Sequence, residues 1–216
     1  MPRKNLIRTS EVPYHITARS NNKEFFYVDT DTLWEIFLDS MAEAESQFQC
    51  KLHAFVLMSN HYHLLISTPS ANLDLVMNYL QREIARNANK KSSRINHFFG
   101  GPYNWSLISE ETYYWNALKY IFRNPIRAGL CTDVLHYKYS SLNSSSKKFS
   151  WQLTDFFYNK ELLITPDFAW LNEPFLNEHE SNIKSALRRR EFKIPCDING
   201  YRPTLDMPLP KKGRPT

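Results

Sequence analysis

Two apolar segments separated by a two-residue turn constrain the fold of this chain more than any other feature. Residues 51–58 (KLHAFVLM) are almost continuously apolar, Ser59-Asn60 follows as a turn signal, and residues 61–68 (HYHLLIST) are again largely apolar. Short runs of this kind, bounded by turn residues, are typical of strands. We therefore expect a β-hairpin with at least one buried face, which other elements must cover.

Further strands and helices are predicted to alternate around this hairpin. Residues 12–19 predict a first strand, and WSLIS at 105–109 predicts a fourth. Helices are predicted over 32–49, 72–90 and 112–124. The last of these is expected to stop before Pro125, because proline lacks the N–H that continues a helix. This order favours an α+β fold, a ferredoxin-like split βαβ sandwich with helices on one face of an antiparallel sheet.

The C-terminal third has weaker patterns. Residues 140–150 form a polar, Ser-rich connector, 151–190 predict short helical pieces, and 191–216 predict extended chain. We therefore divide the chain into a domain at 1–145 and an irregular C-terminal extension at 146–216.

Composition excludes several classes of protein. Hydrophobic residues make up 42% and aromatic residues 14% of the 216 residues, which is enough for a packed core. No apolar run reaches 18 residues, so we expect no transmembrane helix, and no apolar signal core follows the basic N-terminal residues. The three cysteines lie far apart without a CxxC pair, which favours a reducing cytoplasm and excludes a disulfide framework.

Two histidines suggest a metal site. His61 and His63 are one residue apart on a predicted strand, so both imidazoles point to the same face. Their Cα atoms would lie about 6.7 Å apart, close enough to bind one ion if oxygen ligands complete the shell. On the pair alone, two ordinary histidines beside a turn remain the alternative.

A tyrosine on the third predicted helix is a candidate nucleophile. Tyr120 and Asn124 are four residues apart and share a helical face. A phenol is a poor nucleophile at neutral pH, but it can attack a phosphodiester that a metal ion polarises. Asn124 offers a carbonyl oxygen as a third ligand. Taken alone, an aromatic residue on a helix is far more often part of the core than a catalyst, so a core role for Tyr120 remains the alternative.

These segments together resemble a known family. MSNHYHLL at 58–65 resembles the histidine–hydrophobic–histidine (HUH) motif of single-tyrosine transposases, and YIFRNPIRAGL at 120–130 resembles the helix end that carries their tyrosine. PYHITARSNN at 13–22 is similar to their first strand and turn, and KLHAFVLM at 51–58 to the strand before the HUH motif. The match is most similar to the REP-associated tyrosine transposase branch and spans roughly residues 5–140.

The resemblance implies a transposase-like DNA endonuclease and strand transferase. It implies cutting of single-stranded DNA near hairpins through a 5′-phosphotyrosine, with Tyr120 as the nucleophile. His61, His63 and Asn124 become ligands of Mg²⁺ or Mn²⁺. We expect single-stranded or hairpin DNA as the partner and no association with a membrane. We also expect a cytoplasmic, nucleoid-associated location, and a homodimer remains possible. A catalytically inactive hairpin-binding regulator and an HUH replication initiator remain as alternatives.

Two departures from the family pattern concern neighbouring segments. Ser59 stands where such proteins commonly have proline, and FFGGPYN at 98–104 replaces a more usual Gly-x-Arg-Tyr stretch. The second change removes an arginine that could contact phosphate, which leaves the DNA path near 97–105 open.

Basic residues supply two candidate DNA-binding surfaces. The basic stripe, on the second predicted helix and just beyond it, consists of Arg82, Arg86, Lys90, Lys91 and Arg94. The second surface is the C-terminal tail, where Lys211, Lys212 and Arg214 resemble the core of an AT-hook. The net charge of +5 is concentrated towards this end of the chain, which fits a polyanionic partner or a solvated basic tail.

Overall fold

This computed structural model describes residues 5–95, 97–143 and 168–194, together with residues 196, 200 and 205. The strands are β1 (Tyr14–Arg19), β2 (Lys51–Leu57), β3 (His61–Ser67) and β4 (Asn104–Leu107). The helices are α1 (Thr30–Phe48), α2 (Leu73–Ser92), α3 (Glu111–Arg127), α4 (Phe168–Asn172) and α5 (Asn177–Ala186). None of these described helices combines the length and apolar character that crossing a bilayer requires.

The strands form one antiparallel sheet in the order β2-β3-β1-β4. This is the strand order of the ferredoxin-like sandwich, and it confirms the predicted α+β class. The register between β1 and β3 places Thr17 opposite His63 and Arg19 opposite His61. The first strand therefore borders the histidine pair directly.

Helices cover both faces of this sheet, and the prediction of helices on one face is wrong. Tyr62, Leu64 and Ile66 of β3 join the core beneath α1 and α2, whereas Leu65 joins the core beneath α3. The reason lies in the continuous apolar runs of β2 and β3, which have two faces to bury. The α3 face is also the face of His61 and His63, which alternate with Tyr62 and Leu64.

Helix α3 continues to Arg127, past the proline at which we expected it to stop. Pro125 has no N–H to donate to the carbonyl of Ile121. The side-chain amide of Asn124 donates to the carbonyl of Tyr120 at 2.7 Å and reaches the carbonyl of Ile121 at 3.4 Å. This substitute bonding supports the last turn, which carries Arg127.

The described part of the C-terminal extension packs behind α3. Trp170 and Leu171 of α4 and Ile183 of α5 are buried in the same core as α3. Lys119 of α3 is fully buried, with its ammonium 4.5 Å from the centre of the Trp170 ring. The extension is therefore continuous with the α3 core, and the boundary near residue 145 stays a prediction.

Candidate active site

Strand β3 brings the two histidines together on the α3 face of the sheet. The centres of the His61 and His63 rings lie 5.1 Å apart and the rings are nearly perpendicular. His63 is 6% exposed, and His61, nearer the turn, is only partly buried. Strand alternation thus places both imidazoles where the sequence predicted them.

Tyr120 lies directly against this pair, in the same chain. Its ring centre is 5.8 Å from that of His63, at an interplanar angle of 88°. Asn124, one turn further along α3, is buried like Tyr120. His61, His63 and Tyr120 are therefore brought together by β3 and α3 of one chain.

Each imidazole has one nitrogen engaged by a neighbour. His61 Nδ1 lies 2.7 Å from Asn60 Oδ1, and His63 Nδ1 lies 2.9 Å from Nε2 of the buried His15. Nε2 is therefore the atom of each ring that can bind a further group. When a histidine binds a metal through one ring nitrogen, a hydrogen bond at the other nitrogen fixes the orientation of the ring.

Both imidazoles are held in their neutral form. Burial lowers the pKa of His61 to about 4, with help from the positive charges of Arg19 and Arg127. Burial also lowers the pKa of His63 well below its usual range, and His15 and His61 add to the effect. Neutral imidazole is the form that binds metal ions, so both rings are ready as ligands at neutral pH.

Sequence reasoning missed Arg127 beside the tyrosine. Its guanidinium carbon lies 5.0 Å from the centre of the Tyr120 ring, and Nη2 donates to Asn124 Oδ1 at 3.0 Å. Burial lowers the pKa of Arg127, but the nearby Tyr120 and Glu180 outweigh it, and the pKa lies above its usual value. Arg127 is seven residues, or about two turns, after Tyr120, so a helix that continues past Pro125 places both residues on one face. The prediction missed Arg127 because it ended the helix before Pro125.

His15 and Arg19 were also missed, although the sequence carried a signal for both. Residues 15, 17 and 19 share one face of β1, and the register places that face beside His61 and His63. Strand alternation in the sequence shows which residues of β1 share a face. It does not show that β1 pairs with β3, and only this pairing places His15 and Arg19 beside the two histidines.

Comparison with known families identifies the chain. A family model described as "Transposase IS200 like" matches residues 8–124, which is more than half of the chain. The chain belongs to the IS200-like transposase family. The matched segment runs from just before β1 to Asn124 and so contains both histidines and Tyr120 of this transposase.

Solved structures add a likeness of fold. A REP-associated tyrosine transposase bound to a REP hairpin has a TM-score of 0.56 and 15% identity, covering 72% of this transposase and 95% of that chain. A putative transposase from Deinococcus radiodurans R1 has a TM-score of 0.37 and 21% identity, covering 52% of this chain and 88% of its own. No curated protein matches this chain.

The residues around Tyr120 fit a divalent ion. His61, His63 and Asn124 supply two neutral imidazoles and one amide oxygen, so water or phosphate oxygens must complete the shell. Asn124 Oδ1 already accepts a bond from Arg127, but a carbonyl oxygen has a second lone pair. In the described residues, no cluster of three or more His, Cys, Asp and Glu side chains could hold a metal. Two imidazoles and one amide oxygen would form an open donor set, in which water or substrate oxygens fill the remaining positions around a divalent ion.

The basic stripe lies on the opposite face of the sheet from the histidine pair. Helix α2 packs in the α1 core, and Arg82 and Arg86 extend from it into solvent. Both arginines pair with Glu83, Arg82 at 3.1 Å, so part of the stripe's charge is neutralised. Lys90 and Lys91 are exposed, and the structure does not bring this surface to Tyr120.

The last residue of the stripe, Arg94, lies just beyond α2 and contacts an aromatic ring. The Arg94 guanidinium carbon lies 4.3 Å from the centre of the Tyr27 ring. A few residues later, Gly100 donates its N–H to the carbonyl of Arg19 at 2.9 Å, and Arg19 lies opposite His61.

The predicted tail contacts Lys211, Lys212 and Arg214 lie outside the described residues.

Proposed function

We propose that this transposase is a metal-dependent endonuclease and strand transferase for single-stranded DNA, with Tyr120 as its nucleophile. The observation that carries the proposal is the perpendicular contact between Tyr120 and His63 at 5.8 Å within one chain. A tyrosine that is merely a core residue does not require two neutral imidazoles and a guanidinium around it. Family membership supports a transposase role.

The proposed reaction is a transesterification. A divalent ion, Mg²⁺ or Mn²⁺, held by His61, His63 and Asn124 would polarise the scissile phosphate. The Tyr120 hydroxyl oxygen forms a bond to phosphorus, and the bond from phosphorus to the 3′-oxygen breaks. The phenol proton is lost to solvent and the departing 3′-oxygen gains one, which leaves a 5′-phosphotyrosine and a free 3′-hydroxyl. The 3′-hydroxyl of another strand can reverse the step, so joining needs no external energy source.

The proposed substrate is single-stranded DNA beside a hairpin. The fold is shared with a REP-associated transposase whose structure holds a REP hairpin, and we place this chain in the same branch. DNA bound along the basic stripe could pass the end of the sheet at Arg19 to reach His61. Tail residues Lys211, Lys212 and Arg214 would add phosphate contacts. Such a protein acts where the DNA is, in the cytoplasm at the nucleoid.

A covalent adduct assay tests this function. Hairpin-containing single strands, labelled on either the 5′ or the 3′ side of the hairpin, are incubated with the protein and Mg²⁺ or Mn²⁺. We expect an adduct that survives detergent, carries the label downstream of the cut, and disappears with a chelator. DNA binding without any adduct would favour the inactive regulator. An adduct that forms without a hairpin would favour an HUH replication initiator.

A further inference from the structure

We propose that Arg127 binds a non-bridging oxygen of the scissile phosphate, and that Glu180 of the C-terminal extension positions its guanidinium. The inference rests on the proposed function, because it adds a substrate-binding residue to the same site. It also gives the extension a role in the reaction.

The contacts of Arg127 place a positive charge beside the nucleophile. Its guanidinium carbon is 5.0 Å from the Tyr120 ring centre, and Nη2 donates to Asn124 Oδ1 at 3.0 Å. On its other side, Nη1 donates to Glu180 Oε1 of α5 at 3.2 Å. The guanidinium is thus held between α3 and the extension, against the ring of the attacking tyrosine.

Arg127 can also reach a ligand from this position. Its side chain is 38% exposed, so the guanidinium is not sealed in the core. Asn124, Glu180 and the Tyr120 side chain are hydrogen-bonded to Arg127, and together they leave part of its five N–H donors for a ligand. The remaining donors suit phosphate, which a guanidinium binds through paired hydrogen bonds.

The chemistry of the site calls for such a charge. Negative charge on the non-bridging oxygens grows as Tyr120 attacks phosphorus, and the guanidinium of Arg127 beside the Tyr120 ring would oppose that charge together with the metal ion. A donor fixed in advance at this position stabilises the transition state more than the bound substrate. Glu180 keeps the guanidinium in place, so little reorganisation is needed when DNA binds.

A purely structural arginine is present one turn earlier and provides a matched control. Arg123 donates to the carbonyl of Leu171 at 3.3 Å and also to that of Asn172, and so fastens α4 to α3. Like Arg127 it links α3 to the extension, but its described bonds go to α4, whereas Arg127 bonds to Asn124 and lies over the Tyr120 ring. Arg123→Gln therefore removes a link to the extension without removing the proposed phosphate contact.

The test compares single-turnover adduct formation on hairpin DNA at saturating metal and DNA. Arg127→Gln should lower the rate constant about 100-fold, the typical loss for one oxyanion donor. Arg127→Lys should recover part of the rate, because it keeps the charge without the planar fork. The rate constant of Arg123→Gln should stay within about threefold of the wild-type value. The rate constant of Glu180→Gln should fall less than that of Arg127→Gln, because this variant loses the positioning carboxylate but keeps the guanidinium. Thermal unfolding of each variant identifies any that fails to fold, and Arg127→Lys then carries the test.

A neutral substrate separates charge stabilisation from folding. When a methylphosphonate replaces the scissile phosphate, less negative charge develops on the non-bridging oxygens in the transition state. On this substrate the rate constant of Arg127→Gln should be lower than that of the wild type by about tenfold or less. Either of two results would overturn the role of Arg127: an equal loss of rate on both substrates, or an Arg127→Gln rate constant at saturating metal that matches that of Arg123→Gln. A wild type that forms no adduct would instead overturn the proposed function.

Discussion

At the residue scale, the contact between His15 and His63 links the first strand to the chemistry of the site. When His63 binds an ion through Nε2, its proton must lie on Nδ1, where His15 Nε2, 2.9 Å away, can accept it. Both rings are buried, and burial lowers the pKa of His15 to about 3, so His15 is neutral and able to accept. In a metal-bound site, His15 would thereby fix both the tautomer and the orientation of His63.

Replacing this acceptor should weaken metal binding. His15→Phe keeps a ring of similar size in the core but removes the nitrogen, and we expect the affinity for Mn²⁺ to fall about 10- to 100-fold. Isothermal titration calorimetry measures this directly, with the exposed His97→Ala as a control that should bind like the wild type. Equal affinity in His15→Phe and the wild type would show that His63 needs no such partner.

At the element scale, the end of α3 carries much of the site. Asn124 has two roles in this turn, since its amide nitrogen bonds to the carbonyls of Tyr120 and Ile121 while its oxygen faces Arg127. The first role compensates for the missing N–H of Pro125. The second would leave the oxygen available as the proposed metal ligand, and mutation can separate the two roles.

Asn124→Ala should lose both the helical support and the ligand. We expect a loss of about 1 kcal/mol in the free energy of unfolding, as for one hydrogen bond, together with loss of adduct formation. Adding Pro125→Ala restores a backbone N–H that can bond to the carbonyl of Ile121, so the double variant should regain stability but not activity. Urea unfolding and the adduct assay measure the two effects. Recovery of cleavage in the double variant would mean that Asn124 acts on the helix alone.

At the scale of the whole molecule, the sequence predicted the sheet and the shared face of His61 and His63. It did not predict that α1 and α2 cover one face of the sheet and α3 the other. The apolar runs of β2 and β3 and the helical periodicity of α1 and α2 were sufficient to predict these elements and their order along the chain, because local patterns determine them. The position of α3 on the second face depends on packing between distant segments. Arg127 was missed because the proline rule ended α3 one turn early, before Asn124 was known to compensate.

The C-terminal tail gives a prediction about DNA binding as a whole. Truncation after Leu209 removes Lys211, Lys212 and Arg214, and should weaken hairpin binding while reducing the dependence of log affinity on log salt by up to about three units. Fluorescence anisotropy at several salt concentrations measures both quantities. Unchanged affinity and slope would show that these residues do not touch DNA.

The assignment of Tyr120 as the nucleophile is tested most directly by removing its hydroxyl oxygen. Tyr120→Phe keeps the ring against His63, and it should abolish the covalent DNA adduct while hairpin affinity changes little, since other residues contact the DNA. The matched control is Tyr113→Phe on the same helix, whose ring packs 4.8 Å from that of Phe192. It should form the adduct at a rate within the same order of magnitude as the wild type. An adduct formed by Tyr120→Phe at the wild-type rate would contradict the assignment of the nucleophile.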